Sequence, residues 1–321
     1  MPRDNWLNKV HIEGRVFSHT LQKRVSGEAS KNPGTEFIGG TLNIATDEEG
    51  INVVPVRFTY VTAVYSKSGK PNETYGVLEQ IINDDITWEK NGKDAAPQVR
   101  MDGDIGVNDF MGRNGEMVEA KMIRGGFLHF ANGSFGLNDN ENKRNTFEAD
   151  MLIAATIPQE VEDGEDYMNL RGYVFGYRNA LIPVTLSIRS KEGMDYFDKC
   201  DISNENPLFT KVWGNIVSTT QEIKTEQESA FGGAQVTVTT RTLRAWDVTG
   251  CAPEAYVWND ESTMTIDEFK KLLDAREEQK AEAKAFAESR NNSTTGKSGF
   301  PAVGSEENKT SSPTSAANFK F

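Results

Sequence analysis

Short runs in which apolar and polar residues alternate recur through the first 256 residues, and a period of two admits strands far more readily than helices. The alternation is plain in Val10-His11-Ile12-Glu13-Gly14-Arg15-Val16, in Thr41-Leu42-Asn43-Ile44-Ala45 and in Arg57-Phe58-Thr59-Tyr60-Val61. It returns in Val99-Arg100-Met101-Asp102-Gly103-Asp104-Ile105. Between the third and fourth runs lies one helical segment, Thr74 to Ile82, with Leu78, Ile81 and Ile82 on a face. Arg113-Asn114-Gly115 is a hairpin signal, and Met117 to Phe130 is the returning strand. Three strands, a helix and a two-strand hairpin make the element order of an OB-fold barrel.

The second half echoes this order more loosely. Leu170-Arg171-Gly172-Tyr173-Val174-Phe175 echoes the segment from Ile12, and Val212-Trp213-Gly214-Asn215-Ile216 echoes the segment from Met101. A short helix is expected around Gly193–Cys200, an opening strand within Phe147–Thr156 and a closing strand from Gln235 to Thr249. At 321 residues the chain is long enough for two domains. The expected fold is all-β with minor helices: two OB-like five-stranded barrels, a C-terminal helix and a disordered tail. The expected boundaries are 1–145, 146–256, 257–290 for the helix and 291–321 for the tail. The helix opens with a capping box, Thr265 with Glu268, followed by Phe269, Leu272 and Leu273 at helical spacing. The tail is Ser, Thr, Asn, Gly and Pro with too few apolar residues to offset ordering entropy, and it ends on Phe319-Lys320-Phe321.

Composition excludes several function classes. No stretch approaches the ~20 apolar residues of a membrane helix, and Met1–Trp6 has no apolar run of the kind an export signal carries, so a cytoplasmic chain is expected. Two cysteines, Cys200 and Cys251, and three histidines make a poor metal inventory, and neither a metal nor another cofactor is expected. Gly296-Lys297-Ser298 resembles the end of a phosphate loop, but the required first glycine is Asn291 and no strand precedes it. Asn138-Asp139-Asn140-Glu141 lacks the spacing of a calcium loop. No Ser/His/Asp set is nominated, so the chain is not expected to be an enzyme.

The first unit resembles the bacterial and phage single-stranded-DNA-binding proteins. Their opening strand reads roughly Asn-Lys-Val-x-Ile-x-Gly-x-Leu, and Asn8-Lys9-Val10-His11-Ile12-Glu13-Gly14-Arg15-Val16 follows it. Their second strand ends Ala-Thr-(Ser/Asp)-Glu, matched by Ala45-Thr46-Asp47-Glu48, and their fourth reads Val-x-Ile-x-Gly-x-Leu, matched from Val99 to Ile105. The resemblance covers residues 6–130. It implies a non-catalytic protein that protects single-stranded DNA in replication or recombination. The extra domain and the tail look more like a phage- or mobile-element-encoded relative, at work in the host cytoplasm. Family tails end in aspartates and Pro-Phe, whereas this one carries Lys320. Phe319 and Phe321 remain as an anchor for replication or recombination partners. Oligomeric state is left open, a homo-oligomer included.

Single-strand binding needs cations for phosphates and aromatic faces for bases. Arg15, Lys23 and Arg24 fall on or after the first strand, and Arg15, Arg24 and Arg57 are expected to face solvent. Phe58 and Tyr60 share a face under simple alternation, which is either barrel core or stacking surface. Tyr65, Lys67 and Lys70 lie in a polar loop. Trp88 is either a stacking platform or a lid on the barrel end. Phe110 and Arg113 flank the hairpin turn, which in the family grips the strand. A net charge of −13 favours a different reading, a phage structural or assembly protein using β-barrels for protein contacts.

Overall fold

The computed structural model describes residues 6–294 apart from 29, 31, 66–67, 113–114, 133–135, 162–164 and 228–234. The chain forms β1 (Asn8–His19), β2 (Gln22–Val25), β3 (Glu36–Ala45), β4 (Val53–Val61), α1 (Glu73–Asp84), α2 (Trp88–Asn91), β5 (Gln98–Met111) and β6 (Met117–Phe130). It continues with β7 (Asn145–Gln159), β8 (Tyr167–Phe175), β9 (Leu181–Ile188), α3 (Lys191–Asp198), β10 (Leu208–Gln227), β11 (Gln235–Cys251) and α4 (Ile266–Thr294).

Strand pairing runs in two rings. In the first, β1 pairs with β3, β3 with β4, β4 with β6, β6 with β5, and β5 with β1. The second repeats this as β7, β8, β9, β11, β10 and back to β7. Both are OB-like, with a helix between the third and fourth strands and one short parallel seam. That seam is Val56–Ile123 and Arg57–Arg124 in the first ring and Ser187–Asp247 in the second. Antiparallel pairing of β1 with β7, from Asn8–Ala149 to Ile12–Asn145, joins the rings into one 11-stranded sheet.

The alternation in sequence becomes alternation in burial. Ile12, Leu42, Ile44, Val54, Val56, Met101 and Ile105 are wholly buried in the first ring, as are Met151, Ile153, Leu170, Val174 and Leu186 in the second. Each such side chain contributes roughly 1.5–3 kcal/mol relative to exposure. α1 closes the first ring with Leu78 and Ile81. The two sequence echoes fare differently. β10 is the fourth strand of its ring, as β5 is of the first. Leu170–Phe175, by contrast, lies in β8, a second strand, and β7 occupies the place of β1.

The capping box forms as expected: Thr265 N–H donates to Glu268 Oε2 at 2.9 Å, and Glu268 N–H to Thr265 Oγ1 at 3.2 Å. α4 then lies on the second ring. Phe269, Leu272 and Leu273 join a cluster with Trp6, Phe175, Leu181, Phe209 and Met264. Arg276 of α4 reaches back to the first ring's β5–β6 hairpin, pairing with Asp109 at 2.5 Å and Glu119 at 2.9 Å. Among the described residues no helix is long and apolar enough to cross a membrane.

Candidate nucleic-acid interface

The outer face of β3–β4 is where charge and aromatic rings converge. Inward positions fill the core, so Phe37, Thr41 and Asn43 of β3 and Pro55, Arg57 and Thr59 of β4 point outward. Then the ladder skips a step: Gly40 pairs with Phe58 and Ile38 with Val61, so Thr59 and Tyr60 stand opposite Gly39 alone. This bulge turns Tyr60 outward beside Thr59. Phe58 is core at 1% exposure whereas Tyr60 is 44% exposed, which corrects the expectation that the two share a face. Phe37 lies against Tyr60 with ring centroids 4.5 Å apart.

Two clefts continue from this strip. At one end Tyr60, Tyr65 and Phe127 line a shallow cleft with Asn32 and Asn72. Phe127 is 60% exposed, an unusual position for phenylalanine unless it meets something. At the other end Thr41, Arg57 and Thr59 face Lys121 of β6 and Arg244 and Trp246 of β11, across a cleft of about 570 Å³. The second ring's long hairpin reaches the first here, for Asn52 pairs with Thr219 and Ser218 N–H donates to Asn52 Oδ1 at 2.6 Å. Arg57 Nη1 donates to Thr41 Oγ1 at 3.2 Å. Lys121 Nζ sits 5.9 Å from the Trp246 ring and donates to the Thr185 carbonyl at 2.6 Å, and desolvation by the surrounding protein pushes its pKa below the ordinary lysine value. Among the described residues no aspartate or glutamate lines either cleft.

The other described residues expected at the interface line neither cleft. Arg15 does not face solvent: Nη1 donates to the carbonyls of Lys93 and Ala96, both at 3.2 Å, so it holds that loop to β1. Trp88 packs against Phe17 at 6.1 Å under the Lys93 ammonium, and a Cβ on Gly50 would stand 3.0 Å from its ring, the contacts of a lid. Lys23 on β2 is ion-paired with Glu79 at 2.5 Å, and that hydrogen bond raises its pKa. Arg24 beside it is exposed, with Nη2 on Gln22 at 3.1 Å. Lys70 is exposed near Tyr65, whose N–H donates to the Lys70 carbonyl. Phe110 is 43% exposed, paired with Val118 towards the end of the β5–β6 hairpin, and lines neither cleft. Lys67, Arg113, Phe319 and Phe321 lie outside the described residues.

Sequence reasoning missed Phe37, Lys121, Phe127, Arg244 and Trp246. Alternation along β3 marks Phe37 as outward. The other four depend on which strands become neighbours, and no local pattern carries that.

A family model described as YorF matches residues 7–286 of the chain. Among solved structures the chain is similar to the single-stranded DNA binding protein from Thermus aquaticus. A deletion mutant of that protein matches at 12% identity and a TM-score of 0.45, covering 81% of this chain and 100% of that one. The wild-type structure matches at 12% identity and 0.45, covering 79% and 94%. No curated protein matches the sequence.

Proposed function

The chain belongs to the YorF family, and we propose that it is a non-catalytic single-stranded-DNA-binding protein whose strand lies along the outer face of β3–β4. The observation that carries this reading is chemical. In a protein of net charge −13, the clefts of the strip bearing Arg57, Lys121 and Arg244 are lined by no carboxylate among the described residues, and the strip ends among Phe37, Tyr60, Tyr65 and Phe127. Phosphates need the cations, and bases need the rings, each worth about 1–3 kcal/mol per stacked base. The ordered match of residues 8–16, 42–48 and 99–105 to the single-strand-binding pattern supports the same assignment. A place in replication or recombination of a phage or mobile element, in the host cytoplasm, belongs to this proposal, as does division of the chain into two barrel domains near residue 145.

Titration of a fluorescent single-stranded oligonucleotide by anisotropy at low salt, beside a duplex of the same sequence, tests it. Single-strand binding stronger than duplex binding is expected, with little sequence preference because every base has a stacking face. If wild-type protein binds no single strand at low salt, where electrostatics are strongest, the reading falls. A structural or assembly protein then becomes the better one.

A further inference from the structure

The β5–β6 hairpin carries a local contradiction. Asp109 and Glu119 stand directly opposite one another in its ladder, and like charges in that position weaken a strand pair. Two residues towards the ring, on the same face, the next pair is Val107 and Lys121. Glu119 and Lys121 also line one cleft against β8–β9, where Arg171 of β8 is the other cation. A lysine so placed is the ready partner for that carboxylate. Yet among the described residues Lys121 has no carboxylate partner. Its Nζ donates to the Thr185 carbonyl at 2.6 Å and sits 5.9 Å from the Trp246 ring, and the same side chain lines the cationic cleft with Arg57 and Arg244.

α4 resolves the contradiction. Arg276 is 5% exposed, and its terminal nitrogens fork across the opposed acids. Nη1 donates to Asp109 Oδ2 at 2.5 Å, and Nη2 to Asp109 Oδ1 at 2.7 Å and to Glu119 Oε1 at 2.9 Å. A planar guanidinium suits such a pair of acceptors better than an ammonium does. Lys280, one turn on, lies 3.4 Å from the same Glu119 oxygen and 3.2 Å from Glu277. Phe269, Leu272 and Leu273 anchor α4 in the second ring's cluster, so these cations reach the hairpin from outside it. Neither Arg276 nor Lys280 lines either cleft of the interface.

We propose that Arg276 is a positioning residue for single-strand binding: by occupying Asp109 and Glu119 it leaves Lys121 to a phosphate. The inference rests on the function proposed above. Without the cations of α4, Glu119 turns to Lys121, and the cleft loses one of its three charges. The helix thus acts on the strand without touching it.

Oligonucleotide titrations of the full chain at several salt concentrations test this. Arg276→Gln/Lys280→Gln is expected to weaken single-strand binding and to make the salt slope shallower by about 0.7, the share of one phosphate. Adding Asp109→Asn and Glu119→Gln removes the acids and should return affinity and slope to those of wild type, a rescue that loss of packing would not permit. In a Lys121→Ala background the α4 substitutions should leave the slope unchanged, which separates capture of Lys121 from capture of Arg171. Wild-type slope in a folded Arg276→Gln/Lys280→Gln variant overturns the proposal, as does a loss that removing both acids fails to restore. Either result leaves the binding function standing. If the double variant does not fold, the quadruple variant decides, because it leaves no buried acid unpaired. A wild-type slope there supports the proposal, and a shallower one overturns it. Absence of wild-type binding to any single strand removes the underlying function, and the role of Arg276 with it.

Discussion

One extra residue at Thr59–Tyr60 separates a core aromatic from an interface aromatic, and the two should answer differently to truncation. Tyr60→Ala is expected to weaken single-strand binding by about 1–3 kcal/mol while leaving the salt dependence of binding unchanged, as read by titration at several salt concentrations. Phe58→Ala should instead cost about 3–5 kcal/mol of folding stability in a denaturant melt, because it empties a fully buried site. Alternation identified both residues as strand residues and could not assign their sides, since a bulge adds a residue without altering the local pattern. A second residue-scale expectation concerns His11. Its Nδ1 lies 2.6 Å from Asp102 Oδ1 and its Nε2 2.8 Å from Glu13 Oε1, with Arg100 3.6 Å from the same Glu13 oxygen. The Asp102 hydrogen bond above all, against the opposing effect of burial, raises the imidazole pKa above 6.5. Because the folded state holds the proton more tightly, the stabilisation is full below about pH 6.5 and is lost as pH rises through the raised folded value. The Tm difference between wild type and His11→Gln should therefore be largest below pH 6.5 and shrink in alkali. A difference that grows with pH would contradict the geometry.

At the level of elements, the duplication was legible through its glycines, and their geometry explains why one echo held its place and the other did not. The β5–β6 ladder shifts register at Asp102/Gly103 and the β10–β11 ladder at Trp213/Gly214. A Cβ would stand 2.1 Å from the Arg124 carbonyl oxygen at Gly103 and 1.8 Å from that of Asp247 at Gly214. The same bend in the same strand of each ring demands the same residue, so the Met101–Ile105 and Val212–Ile216 segments correspond. Gly14 and Gly172 meet a neighbouring carbonyl just as closely, Ala45 and Leu152 each at 2.0 Å. Gly14, however, is on the first strand of its ring and Gly172 on the second. The crossing needs one glycine, and either strand can supply it, so sequence similarity there did not report strand position. Gly103→Ala and Gly214→Ala should each destabilise by about 3 kcal/mol or more in thermal or denaturant melts, since backbone must move to admit a methyl. Gly76→Ala, in α1 with nothing within 4 Å of the added carbon, should stabilise by roughly 0.5–1 kcal/mol.

For the molecule as a whole, the decisive quantity is the local sign of charge against a total of −13. Summing charge along the chain concealed the cationic cleft, because Arg57, Lys121 and Arg244 come from β4, β6 and β11 and meet only when the second ring's hairpin crosses the first ring. At physiological ionic strength the screening length is about 8 Å, so a strand in the cleft feels these three cations more than the acids elsewhere. Lowering the salt strengthens the three contacts and also lengthens the reach of the repelling total, and the two effects oppose each other. The logarithm of affinity should therefore fall with the logarithm of salt at a slope no steeper than about −2, the sum of about −0.7 for each of three neutralised phosphates, with much of the remaining affinity supplied by stacking. Arg57→Ala combined with Arg244→Ala should flatten the slope to no steeper than about −0.7 and leave the melting temperature close to that of wild type, because both side chains are exposed. A wild-type slope several-fold steeper would mean that phosphates are held by a surface other than this cleft. A slope unchanged in the double variant would mean that the strand does not pass between the two rings.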